Sequence, residues 1–411
     1  MQTYNPPNLS DFQKRSLIVG VLFFVALLIT AFFDRRQFFQ AYLVGWTFWT
    51  GIGVGSLALL MLQHLTGGGW GFVIRRVLEA ATRTLAVMAI LFVPVIIGAH
   101  YIYHHWTEPE HPVVQFKTPY LNLPFFIIRA VVIFGVWLAL AFFLNRWSLA
   151  QDRTADNRYT KKMRELSGGG MVALIFTVTF AAVDWYMSLE PEWFSTIYGL
   201  IWVAAWSLSA LAFVIASMAF LSKQEPMSRV VAPLHFHDLG KLLLALVMLW
   251  SYFAFSQYLI IWSGNLPAEI TWYTHRLQTG WRWVGTSLVL FHFAVPFVLL
   301  LSRAVKRDPE MLVKVAIAVL IVRLLDLFWL IAPEFHPAGI AVSWLDVVLP
   351  LTLGSIWLGC FVWQLRGRAI LPVHDPEFDE TLGRIIERGV SPREASPAEA
   401  QSPVAERRRA H

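Results

Sequence analysis

The stretch "AVLIVRLLDLFWLIAP", residues 318–333, reads as one apolar helix with Arg323 and Asp326 near its middle. Three residues apart, the two charges share a helix face. Crossing a bilayer takes about 20 predominantly apolar residues, and the run around this stretch, about 311–332, is long enough. A charge at that depth costs a few kcal/mol at least, so a chain that keeps one there uses it for structure or for function.

Nine more runs of this kind flank it, at about 16–33, 38–65, 83–101, 124–145, 170–188, 196–221, 239–263, 281–301 and 343–365. The composition agrees, with 57% hydrophobic and 15% charged residues among 411. A soluble domain holds about 45–50% apolar and about 25% charged residues. The expectation is an all-α membrane protein of ten transmembrane helices. It has a transmembrane domain over 16–365, a polar N-terminus over 1–15 and a polar tail over 366–411. The opening "MQTYNPPNLSDFQKR" has no cleavable signal pattern.

Lys and Arg in short loops set the orientation. With the N-terminus inside, the inner segments hold Lys14, Arg15, Arg75, Arg76, Arg146, Arg153, Arg158, Lys161, Lys162, Arg164, Lys223, Arg229, Arg303, Lys306 and Arg307. The outer loops hold Arg35, Arg36, Lys117 and Arg276. Both termini are therefore expected in the cytoplasm. The same asymmetry accounts for the net charge of +6 without a nucleic-acid partner. The single cysteine, Cys360, is too few for an iron–sulfur cluster, a CxxCH haem or an internal disulfide. The tail is rich in Pro, Glu and Arg, with a short helix expected near 377–388.

An internal repeat emerges from weak matches. "YLVGW" at 42–46 matches "YGLIW" at 198–202, and Arg146 matches Arg303 at the ends of their helices. "DWYMSLEPEW" at 184–193 matches "DLFWLIAPEF" at 326–335 as an Asp followed after six residues by Pro-Glu-aromatic. The expected arrangement is two four-helix bundles, helices 2–5 and 6–9, flanked by helices 1 and 10. Four helices is an even number, so the bundles are parallel-related. The repeat makes Asp184 and Asp326 equivalent, while Ala181 stands in the place of Arg323.

Two readings of the Arg323–Asp326 pair stay open: a fixed ion pair, or a proton relay whose acid the arginine holds or releases. Candidates for a path to the inner face are Asp238 and Lys241 at the start of helix 7, Glu79 and Arg83 at the start of helix 3, and His64 at the end of helix 2. His292 in helix 8, with Tyr252 and Ser256 in helix 7, completes the set. On the outer side, His100 or His104 with Asp184 offers the His–carboxylate pair of a quinone pocket. His100 and His104 are also spaced for a shared metal, though outer-loop His and Glu are ordinary and no metal ligand set is assigned.

Three segments carry a resemblance: "HDLGKLLLALVMLWSYFAFSQYLIIWSGNLPAEITWY" (237–273), "FAAVDWYMSLEPEWFSTIYG" (180–199) and "VRLLDLFWLIAPEFH" (322–336). With "LPVHDPEFDETL" (371–382) they resemble the NrfD-like integral membrane subunits of bacterial alternative complex III, and more distantly the polysulfide-reductase membrane anchor. The likeness spans the whole membrane region. It implies a respiratory-chain complex in the bacterial inner membrane that oxidises a menaquinol-type quinol. Electrons would pass to a cytochrome c or a high-potential iron–sulfur protein. Haem c and iron–sulfur clusters would sit in partner subunits: an iron–sulfur/molybdopterin-like periplasmic subunit and cytochrome c subunits. A larger sister NrfD-like subunit and small membrane subunits would lie alongside. This chain would bind no redox cofactor and would carry a proton path. The alternatives are the quinol-oxidising anchor itself and a stand-alone proton-coupled transporter. A parallel repeat counts against the inverted repeats of many transporters.

Overall fold

A computed structural model describes residues 8–366 and 368–372. Most of the expected tail, including the short helix near 377–388, lies outside the described residues. Among the described residues, ten helices are each long and apolar enough to cross a membrane. They are α1 Ser10–Phe33, α2 Arg35–Thr66, α3 Gly69–Ile97, α4 Leu123–Thr154, α5 Arg158–Leu189, α6 Tyr198–Leu221, α7 Pro233–Gly264, α8 Trp281–Leu301, α9 Pro309–Phe335 and α10 Leu345–Arg366. No strand occurs among the described residues. The chain is an all-α, multi-pass membrane protein. We call the end where α3, α5, α7 and α9 begin the basic end.

Several helices extend further at the basic end than their apolar runs. α3 begins at Gly69 rather than near 83. Hydropathy counts Arg75, Arg76 and Glu79 against a span, yet all three are buried. Glu79 takes Arg76 at 2.7 Å and Arg75 at 3.5 Å. Paired charges can pack inside a bundle where single ones cannot, and local hydropathy does not see the pairing.

α2 is the central helix. Its apolar window is 94% buried, against 11% for the peripheral α1. Small residues place it there. A Cβ on Gly55 would sit 2.0 Å from the Trp206 carbonyl oxygen of α6, and one on Gly51 would sit 2.4 Å from the Trp206 ring. Only glycine lets the two backbones approach so closely. α2 packs on α3 and α5, and α4 packs on the same two. α6 packs on α7 and α9, and α8 packs on those two. The halves meet through α2 and α6, while α1 lies on α10, which leans on α2 and α3.

A run of buried indoles ties the halves together. Trp46 meets Trp185 at 5.2 Å, Trp185 meets Trp137 at 5.8 Å, Trp137 meets Trp206 at 6.0 Å, and Trp206 meets Trp202 at 5.7 Å. These pairs are mostly edge-to-face, the arrangement favoured by the ring quadrupole. Trp202, at the end of the run, is the residue that Arg323 approaches.

Candidate functional site

α9 has 27 residues, and Arg323 is the fifteenth. At about 1.5 Å per residue, Arg323 lies roughly 21 Å from the start of a helix about 40 Å long. It is 1% exposed and Asp326 3% exposed, so neither reaches an interface. The Arg323 Nη1 donates to Asp326 Oδ2. Its guanidinium lies 5.4 Å from the Trp202 ring centroid, and that ring stacks on Tyr186 at 3.7 Å. The Nε and Nη2 of Arg323 have no protein partner.

His292 completes this site. It is fully buried on α8, with its ring edge-to-face against Trp250 at 4.3 Å. Neither ring nitrogen has a protein partner. Its turn packs against α9, the helix that carries Arg323. Its backbone lies in a π-helical turn, Val289–Ala294. Pro296 explains the turn: it has no N–H to return to the His292 carbonyl, so regular i→i−4 bonding fails there. A carboxyl, an imidazole and a fixed cation, all buried, make a set that can accept, hold and release a proton.

The other proposed path residues fall elsewhere. Asp238 and Lys241 pair with each other at 3.0 Å on an exposed face at the basic end. Tyr252 is 62% exposed and points away from the bundle interior. Ser256 is half-buried on α7. Glu79 and Arg83 belong to a separate cluster at the basic end. Ser148 donates to Glu79 at 2.5 Å. Arg83 donates to the Gln364 side chain at 2.9 Å, to its carbonyl at 2.8 Å, and to Asn145. His64 is buried, and its carbonyl takes Arg164 Nε at 3.4 Å. Among the described residues no bond joins this cluster to Asp326. The 3.6-residue period puts Tyr252 and Ser256 on one face of α7, and packing turns Tyr252 outward.

Sequence reasoning passed over α2. Gln40, Thr47, Thr50, Ser56 and Gln63 are all buried on it. Gln40 Nε2, Thr47 Oγ1, Thr50 Oγ1, Ser56 Oγ and Gln63 Oε1 have no protein partner. The available signal was a hydroxyl or amide every three to seven residues along a run otherwise apolar enough to span. Only its central position shows that these groups face protein rather than lipid.

The second acid, Asp184, is fully buried on α5. Arg129 Nε of α4 donates to its Oδ2 at 2.7 Å, and the Tyr120 hydroxyl donates to its Oδ1 at 2.9 Å. The Arg129 guanidinium is held between Tyr120 at 3.9 Å and Phe125 at 4.4 Å. The repeat put Ala181 in the place of Arg323 and so left this acid without a cation. The fold supplies one from the neighbouring helix instead.

The expected His partners are not at Asp184. His100 lies 3.7 Å from Glu108, and the His104 ring lies 3.9 Å from the His105 ring. Neither has a described contact with Asp184. A cavity of about 320 Å³ does open beside it, lined by Lys117, Tyr120, Ser188 and Trp193 among others. Burial raises the Tyr120 pKa, which keeps its hydroxyl a donor. Burial lowers that of Lys117, whose Nζ donates to the Pro191 carbonyl at 2.6 Å.

The two Pro-Glu motifs also diverge. Glu334, beside Pro333 within α9, accepts from His105 Nε2 at 2.6 Å. That bond raises the His105 pKa. Glu192 follows Pro191 beyond the end of α5 and lies 3.7 Å from His111 on the surface. Among the described residues no group of three or more His, Cys, Asp or Glu could hold a metal ion. No protein-family model matches the chain, and no curated protein matches it.

Proposed function

We propose that this chain is the smaller NrfD-like subunit of an alternative complex III, the ActF subunit, and that it carries part of a proton path. The three motif segments support the family reading. The observation that carries the proton reading is the Arg323–Asp326 pair at the middle of α9, which packs against the α8 turn of His292, whose ring nitrogens have no protein partner. In this reading the chain lies in the bacterial inner membrane with both termini cytoplasmic. It binds no redox group. Partner subunits hold the haem c and iron–sulfur centres, and a menaquinol-type quinol is the substrate of the complex. The buried hydroxyls and amides of α2 extend the polar set between Thr47 and His64, because unpartnered buried polar groups are natural contacts for internal water.

The test is Asp326→Asn in the intact complex, reconstituted in liposomes, with quinol oxidation and proton release measured together. The reading expects proton release to fall while the complex stays assembled. Wild-type values of both would sink it. Dissociation of the complex would make the pair a structural device.

The cavity beside Asp184 favours a second reading, the quinol-oxidising anchor. Photoaffinity labelling with a quinone analogue separates the two. Label on Tyr120 or its neighbours supports the anchor, and label confined to the sister subunit supports the first reading. A stand-alone proton-coupled transporter would purify natively without haem-bearing partners.

A further inference from the structure

A cavity opens at the basic end, away from both acid sites. It has a volume of about 680 Å³ and lies between α3, α4 and α10. Arg83, Arg146, Arg153 and Arg368 line it, and among the described residues no carboxylate does. Arg146 and Arg153 are exposed, and neither meets a carboxylate among the described residues. Burial lowers the Arg368 pKa.

The polarity of the cleft changes along its length. Arg146 and Arg153 sit toward the end of α4, Arg368 just past the end of α10, and Arg83 beside them on α3. Ala86, Leu138, Ala141 and Phe142 line the part nearer the middle of the membrane. On α4 the lining runs from Leu138 to Thr154, about 24 Å at 1.5 Å per residue. That length suits a charged headgroup followed by much of an acyl chain. The walls are already braced. Arg83 bridges Asn145 of α4 and Gln364 of α10, and Arg368 Nη1 donates to Asn145 Oδ1 at 3.4 Å.

We propose that this cleft is a binding site for an anionic phospholipid of the surrounding bilayer. The phosphate sits among Arg83, Arg146, Arg153 and Arg368, and one acyl chain lies along Ala86, Leu138 and Phe142. Basic pockets between transmembrane helices are suited to acidic headgroups, and arginine is suited to phosphate through its paired donors. The apolar half of the cleft gives a reason for lipid rather than a free anion. Filled in this way, the cleft joins α3, α4 and α10 at one end of the bundle.

The test uses the full chain in nanodiscs of phosphatidylcholine, with spin-labelled phosphatidylglycerol and spin-labelled phosphatidylcholine as probes. The immobilised fraction of each is measured. The site predicts a preference for phosphatidylglycerol that weakens with salt. The Arg146→Gln/Arg153→Gln variant should reduce it about thirtyfold, at roughly 1 kcal/mol for each basic side chain near the surface. Ala86→Trp fills the apolar half and should release the lipid while leaving all four arginines in place. Equal retention of the two probes by the wild-type chain overturns the proposal. So does displacement of phosphatidylglycerol by inorganic phosphate at matched ionic strength, which would make the cleft an anion site without a lipid tail. Full phosphatidylglycerol retention by both variants, each with the wild-type helix content, overturns it as well.

Discussion

Asp184 and Asp326 are the two acids that the sequence repeat pairs, yet their arginines arrive by different routes. Asp326 takes Arg323 from its own helix, three residues back. Asp184 takes Arg129 from α4, with Tyr120 as a second donor. The depths differ too. Asp326 is nine residues from the end of α9 and Asp184 five from the end of α5, or about 13 Å and about 7 Å. Arg323 also leaves two donor nitrogens unpartnered, and His292, on the α8 turn packed against α9, is unpartnered on both ring nitrogens. A pair within one helix does nothing to join helices and leaves donors to spare. A pair between helices braces α4 against α5. The first suits a group whose protonation changes, the second a fixed joint.

Three measurements can break or sharpen that contrast. The largest effect is expected from Arg323→Met. It strands Asp326 as a buried charge at mid-membrane, and breaking a buried pair in this way costs about 3–5 kcal/mol. Pairing Arg323→Met with Asp326→Asn should recover most of that loss in unfolding assays in bicelles. If the double variant is as unstable as the single, the charge of Asp326 is not the cause.

Next comes Arg129→Met. Asp184 keeps Tyr120 and lies nearer the end of its helix, so the loss should be smaller, about 1.5–3 kcal/mol for a hydrogen bond to a charged group. Proton release by the complex should be unchanged. A cost above that of Arg323→Met would reverse the assignment of joint and relay.

The smallest effect concerns the ends of the two motifs. Glu334 holds His105, whereas Glu192 is a surface residue. The Glu334 bond raises the His105 pKa above its usual value of 6.5. A raised histidine stabilises the fold below its unfolded pKa, and that contribution is lost as pH rises through the folded value. Thermal stability of the solubilised chain should therefore decline from pH 6 to pH 8, and His105→Gln should flatten the decline. The His105 side chain is 40% exposed, so solvent screening keeps the effect slight. An unchanged slope in His105→Gln would assign the pH dependence to another group.

The site was legible in part. Arg323 and Asp326 were visible as charges in an apolar run, and their spacing put them on one face. His292 was visible as a mid-helix histidine. Its π-turn was signalled only by Pro296, four residues on. Tyr252 and Ser256 shared the spacing of interior groups, but no periodicity tells which side of a helix meets lipid when both sides are apolar. Gln40, Thr47, Thr50, Ser56 and Gln63 were overlooked because the position of α2 among its neighbours makes them interior.

The sequence by itself determined the all-α class and the ten spans. These depend on local hydropathy and spacing, which each segment carries alone. Tertiary structure decided which polar groups meet. It brought Arg129 to Asp184 from another helix, packed the His292 turn of α8 against α9, and gathered four arginines around a cleft between α3, α4 and α10. Those pairings join residues far apart in the chain. Inside a membrane, burying a charge is tolerable only with its partner, and packing chooses the partner.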